Sequence, residues 1–214
     1  MSHTRCAVVV LISGRGTNLQ AIIDDAQDAN CPYALRAVIS NRPDAAGLER
    51  ARRAAIETQV VDHESYASRQ HFDAALMDAI DRYAPGLVVL AGFMRILTPE
   101  FVSHYDGRLI NIHPSLLPAF PGLDTHARAI ASGARAHGAS VHFVTADLDG
   151  GPLIVQAPVP VLAGDDADTL AARVLEQEHE ILPAAIRWFA DGRLSIEGGH
   201  VMLDGKPAMA QPAP

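Results

Sequence analysis

Cysteine, basic charge and long apolar runs are all scarce in this 214-residue chain. Cys6 and Cys31 are too few and too far apart for a disulfide framework or a CxxC metal site, which points to a reducing compartment. Seventeen Lys and Arg stand against 25 Asp and Glu, a net charge of −8 with histidine neutral. Attraction to nucleic-acid phosphates needs a basic surface, so that class of partner is not expected. A small anion needs only a local set of donors and stays open. The longest apolar run near the start, Cys6 to Ile12, has seven residues. A membrane span needs roughly 20, and a signal peptide a longer core with a small-residue cleavage site. Neither H-E-x-x-H, nor G-K-[ST] after a glycine-rich turn, nor G-x-S-x-G around Ser13 occurs. The expectation is a soluble, cytoplasmic globular protein, long enough to bury a core without a disulfide or metal.

The chain does contain a regular alternation of short β-branched runs and helical periodicity, the signature of an α/β protein. The expected fold is a mostly parallel twisted sheet with helices on both faces. Its N-terminal half is Rossmann-like, and antiparallel strands are added in the C-terminal half. Strands are predicted at 6–12, 34–40, 58–61 and 87–91, with helices at 18–29, 45–55 and 69–83. Further on, the strand 109–113 leads through a proline-dense loop to a helix near 125–132. Strands at 139–145 and 153–161 come next with no helix between them, as an antiparallel pair would. A helix capped by Asp168 or Thr169 reaches Ala190, with Pro183 expected to kink it. Residues 193–204 read as a terminal hairpin. The domain reading is one domain over 1–204, with a phosphate-binding half about 1–107 and a catalytic, folate-binding half about 108–204. The stretch 205–214 reads as a flexible tail.

Three segments carry candidate chemistry. Ser13-Gly-Arg-Gly-Thr-Asn18 joins the first strand to the first helix, a place where backbone N–H groups and the helix dipole favour an anion. It lacks the third glycine of the dinucleotide pattern, and its plainer reading is a tight turn capped by Asn18. Asn111 and His113, two apart on a strand, share a face at the strand's carboxyl end, where open α/β sheets bind ligands. Together they can stabilise an oxyanion, and the imidazole can move a proton; the plainer reading is structural hydrogen bonding. Asp147-Leu-Asp-Gly-Gly151 is either a turn or a source of carboxylate for an imidazole, whose charged form it would favour. Among ten histidines, His137 with His142, or His104 with His113, are the pairs a metal would use, but their spacing matches no established motif and no metal is expected.

Taken together, Val10–Gln20, Leu90–Leu97, Asn111–Pro118 and His142–Pro152 strongly resemble the phosphoribosylglycinamide formyltransferases, in one register from about residue 5 to 204. Asn-x-His with a downstream Asp marks the wider superfamily that uses 10-formyltetrahydrofolate. Phe120-Pro-Gly-Leu123 selects this branch, as does the absence of the extra domains that methionyl-tRNA formyltransferase and formyltetrahydrofolate deformylase carry.

The resemblance implies formyl transfer from 10-formyltetrahydrofolate, as co-substrate, to the amine of glycinamide ribonucleotide in purine biosynthesis. It implies that Gly16, Thr17 and Asn18 hold the substrate phosphate and that Glu178 contacts the glycinamide. Asn111 and His113 match the catalytic pair, and Asp149 the carboxylate that keeps the histidine protonated. Arg69, Met94, Arg95, Ile96, Leu97, Asn111, Thr145 and Asp149 match the folate site, with 145–149 as the loop over the pterin. Arg69 read without the resemblance is a solvated helix start, and Met94–Leu97 core packing. Arg15, Ala119 and Asp124 depart from residues frequent in the family. The implied partners are the two small molecules, with neither nucleic acid nor membrane; a monomer or a homodimer fits. The rival readings are a deformylase-type hydrolase and a non-catalytic folate- or nucleotide-binding module.

Overall fold

A computed structural model describes residues 5–208. The fold is α/β and Rossmann-like, mostly parallel in its strands, with helices on both faces and an antiparallel addition toward the C-terminus, as the alternation predicts. The chain divides into two compact units, Met1–Ile110 and Asn111–Pro214.

The first unit holds β1 (Cys6–Ile12), α1 (Thr17–Ala26), β2 (Tyr33–Ser40), α2 (Gly47–Arg53), β3 (Glu57–Val60), α3 (Arg69–Asp81), β4 (Leu87–Leu90) and α4 (Pro99–His104). Its strands run in the order β3-β2-β1-β4, every neighbouring pair parallel. Val8 to Ile12 are fully buried, because a central parallel strand is covered on both faces; that is why this strand reads as an unbroken apolar run. Leu19, Ile22 and Ile23 form the buried stripe of α1. The Ser68 side chain caps α3 by accepting from the His71 N–H. Periodicity missed α4, whose six residues are too short to show a stripe. Its signal was local: Thr98 caps the Phe101 N–H and Pro99 fills the first turn.

The strand β5 (Leu109–His113) ends at the start of the second unit. Beyond it lie α5 (Thr125–Ala131), β6 (Ala136–Phe143), β7 (Leu153–Pro160), α6 (Ala167–Ala190), β8 (Leu194–Glu197), β9 (His200–Leu203) and β10 (Lys206–Pro207). The expected antiparallel pair is β6 with β7, in register from Ala136 opposite Pro160 to His142 opposite Leu153. Leu170, Val174, Ile181, Leu182 and Ile186 form the buried face of α6, which packs on β6 and β7. The expected terminal hairpin is β8 with β9.

Several boundaries differ from the sequence reading. The cap of α6 is Asp166, which accepts from the Thr169 N–H at 2.8 Å; neither Asp168 nor Thr169 serves. Pro183 lies inside α6, which continues to Ala190. The predicted tail from 205 begins too early, since Lys206–Pro207 pair with β9; residues 209–214 lie outside the described residues. Among the described residues no helix is long and apolar enough to cross a membrane.

Candidate active site

In the first unit, β1 delivers the glycine-rich loop directly into α1. Gly16 is the N-cap, in the left-handed conformation (φ 69°, ψ 36°), and no side chain caps the helix. The plainer reading of Asn18 as a cap therefore fails, because Asn18 already lies inside the helix and is buried. A helix start with no side-chain cap is where an anion is favoured.

The loop is braced from behind by α2. Gly47 donates its N–H to the Gly14 carbonyl at 3.0 Å. A Cβ on Gly16 would sit 2.7 Å from the Gly47 Cα at a positive φ, which confines that position to glycine, and one on Gly47 would push on the Ile12 side chain at 2.6 Å and on the Gly16 Cα at 3.1 Å. Arg50 donates to the Arg15 carbonyl at 2.9 Å and to the Gln20 side chain at 3.2 Å. Arg15 itself faces solvent. No local motif announces this brace, whose parts lie some 30 residues downstream.

The folate-lining candidates of this unit lie on two segments. Arg69 is exposed at the first position of α3. Met94 to Leu97 form an irregular stretch in which Met94 is 66 % and Ile96 59 % exposed, which overturns the core-packing alternative. Apolar side chains held out of the core are what a flat organic ligand needs. Arg95 lies over the Phe72 ring at 5.6 Å, and Arg69 and Arg95 both act on buried Asp73, whose carboxyl burial pushes up.

The second unit gathers the chemical candidates. His113 donates from Nε2 to the Phe120 carbonyl at 3.0 Å, because a carbonyl only accepts. Its Nδ1 lies 3.6 Å from Asp149 Oδ2, and both side chains are more than nine-tenths buried. Asp149 also accepts from the Gly122 N–H at 2.8 Å, so one carboxylate ties the proline loop to the 145–149 loop. Gly151 closes the base of that loop against the Phe143 carbonyl, where a Cβ would collide. Thr145 lies at the loop's start, donating to the Asp147 carbonyl at 3.4 Å. Glu178 is buried on α6.

His142, read from the sequence only as a metal-ligand candidate, completes the cluster in another role. His142 Nδ1 is 2.9 Å from the Phe143 carbonyl and must carry the proton there. Its Nε2, 3.2 Å from Asn111 Nδ2, is then an acceptor for the amide. Burial pushes the His142 imidazole down, in keeping with a neutral ring. One tautomer thus fixes which end of the Asn111 side chain is NH2 and leaves its second N–H to donate. His142 Nε2 also lies 3.8 Å from Asp149 Oδ1.

Neither proposed histidine pair forms a metal centre. His104 Nε2 pairs with Asp81 at 2.8 Å on the surface. His137 packs edge-on against Phe120 and His126, and among the described residues no three His, Cys, Asp or Glu are arranged to hold a metal ion. Asp124 is exposed in a left-handed conformation just ahead of α5.

The packing of His137 has a consequence for stability. Neither of its ring nitrogens finds a well-aligned hydrogen-bond partner, and burial, helped by His126, pushes it down to about 4 from 6.5. Between those values the unfolded chain binds a proton that the native chain refuses, so stability falls as pH drops from about 6.5 to about 4. The full contribution is about 3 kcal/mol. Urea midpoints measured from pH 7 to pH 4.5 are expected to fall, and the fall to shrink in His137→Leu; an equal fall in both proteins would remove His137 as its source.

Comparison with known proteins finds relatives over most of the chain. Residues 6–186 match the model of the formyl transferase family. The phosphoribosylglycinamide formyltransferase of Escherichia coli (strain K12) is 58 % identical over 199 residues, covering 93 % of this chain and 94 % of that protein. The solved phosphoribosylglycinamide formyltransferase from Coxiella burnetii, in complex with CHES, superposes with a TM-score of 0.90 at 54 % identity, covering 95 % and 96 % of the two chains. Glycinamide ribonucleotide transformylase 1 from Symbiobacterium toebii gives a TM-score of 0.91 at 49 % identity, covering 95 % of each.

Proposed function

From the premise that the chain belongs to the formyl transferase family, among its phosphoribosylglycinamide formyltransferases, we propose which side chains carry the reaction. The reaction is transfer of the formyl group of 10-formyltetrahydrofolate to the amine of glycinamide ribonucleotide, in purine biosynthesis. The amine attacks the formyl carbon and the carbonyl oxygen becomes a tetrahedral oxyanion, which collapses to release tetrahydrofolate. No covalent enzyme intermediate is needed.

The observation that carries the assignment is the pairing of Asn111 with His142 and the buried pairing of His113 with Asp149. Asn111 donates its second amide N–H to the oxyanion, the His142 contact having set the amide's orientation. His113 acts as the imidazolium: Nδ1–H faces Asp149, and Nε2–H leaves the Phe120 carbonyl for the substrate oxygen. The proton lost by the attacking amine reaches the departing folate nitrogen through His113 or a water. Gly16, Thr17 and Asn18 hold the phosphate, Glu178 the glycinamide, and Arg69, Met94, Arg95, Ile96, Leu97 and Thr145 the folate. The reading brings with it a cytoplasmic location, small molecules as partners, no metal, and a monomer or homodimer.

Turnover lost with substrate binding kept, in a chain without the His113 imidazole, is the pattern this reading requires. The phosphate role has its own test. Gly16→Ala puts a Cβ at φ 69° and against Gly47, a strain of roughly 1–3 kcal/mol. It is expected to raise KM for glycinamide ribonucleotide about tenfold or more while KM for the folate holds. An unchanged KM for the ribonucleotide would remove the loop from its binding site.

A further inference from the structure

We propose that Ser13 is a positioning residue for the folate-lining stretch, holding Met94 to Leu97 in the conformation that receives the co-substrate; this rests on the reading of that stretch as folate-lining. Ser13 ends the run of β1 and is 7 % exposed. Its hydroxyl is engaged both as donor and as acceptor. The Oγ–H donates to Asn41 Oδ1 at 2.6 Å, because that oxygen only accepts. The Oγ lone pair accepts the Met94 N–H at 2.7 Å. The Ser13 N–H donates to the Gly92 carbonyl at 3.1 Å.

These bonds matter because the segment they hold has no regular structure of its own. Met94 and Ile96 point their side chains outward from a stretch with no helix or strand to hold it. Such a segment keeps its shape only if its ends are fixed. The far end is fixed where the Thr98 N–H donates to Asp73 Oδ2 at 2.6 Å. The near end is fixed by Ser13, through Gly92 and Met94. Gly92 itself adopts φ 75°, which ends the extended run of β4, and the Met94 N–H beyond it is met by a side-chain acceptor. Asn41, just beyond β2, is 2 % exposed and gives the serine hydroxyl a fixed direction.

Removing the hydroxyl leaves a partly buried N–H without its acceptor, and the near end of the stretch loses its anchor. The groups assigned to chemistry are untouched. Affinity for the folate should therefore fall with little change in kcat at saturation, and affinity for glycinamide ribonucleotide should hold.

The test is calorimetric titration of Ser13→Ala, Ser13→Thr and Asn41→Ala with tetrahydrofolate and, separately, with glycinamide ribonucleotide, alongside steady-state kinetics. Ser13→Ala is expected to bind tetrahydrofolate about tenfold more weakly, with ribonucleotide binding within twofold of wild type and kcat within threefold. Ser13→Thr, which keeps the hydroxyl, should restore most of the affinity. Asn41→Ala should show the same folate-selective loss in smaller measure, and it decides the matter if Ser13→Ala does not fold. Equal weakening for both ligands would mean a general structural role and overturn the proposal. Wild-type folate affinity in Ser13→Ala, or in Asn41→Ala if that variant alone folds, would overturn it too. If Ile96→Ala binds tetrahydrofolate as wild type does, the folate-lining reading itself fails, and the Ser13 role with it.

Discussion

His113→Ala is expected to lose about a hundredfold to a thousandfold in kcat, the usual cost of removing one oxyanion donor. The ring has no other task large enough to unfold the protein. It is buried beside Asp149, and its one close hydrogen bond goes to the Phe120 carbonyl. Alanine leaves that carbonyl and the Asp149 carboxylate short of a partner and a gap where the ring packed, which lowers stability by an amount the thermal midpoint will show. Binding of both substrates should persist, because the phosphate loop and the 94–97 stretch belong to other segments. The check is kcat measured beside the thermal midpoint and the two binding constants. A folded His113→Ala enzyme with kcat within threefold of wild type would remove the imidazole from the chemistry.

Asp149→Asn separates charge from shape. Asparagine keeps an oxygen to accept the Gly122 N–H, which the carboxylate now receives at 2.8 Å, so the two loops stay tied. It removes the negative charge 3.6 Å from His113 Nδ1, and an imidazolium buried beside a neutral amide is unfavourable. The expected result is a loss of about a hundredfold in kcat with a small change in thermal midpoint. A folded Asp149→Asn enzyme with kcat within threefold of wild type would place Asp149 in a structural role only.

Much of the fold and the site is legible in the amino-acid sequence. The first strand, the Asn111–His113 pair and the β6–β7 partnership come from apolar runs, the two-residue repeat of a strand and the shortness of the connection. The weak points have physical causes. Asn18 reads as a cap because its side chain suits that place, yet Gly16 reaches the left-handed conformation without a side-chain bond and starts the helix earlier. Asp166 displaces Asp168 as the cap of α6, a choice among three neighbouring acids and hydroxyls that only backbone conformation decides. The role of His142 toward Asn111 escapes notice because nothing in one sequence says that a histidine 31 residues away orients an asparagine. The brace from Gly47 and Arg50 is equally hidden, since a close approach of two backbones leaves no periodic trace.

The most direct test of the central claim is a spectrophotometric assay of the purified protein with 10-formyltetrahydrofolate, run with and without glycinamide ribonucleotide. Tetrahydrofolate is expected to form only when the ribonucleotide is present, in step with formylated ribonucleotide. Tetrahydrofolate released at the same rate without the ribonucleotide would mean that water takes the formyl group, and the glycine-rich loop would be a structural turn. Binding of the folate with no turnover under either condition would contradict the formyl-transfer assignment as completely.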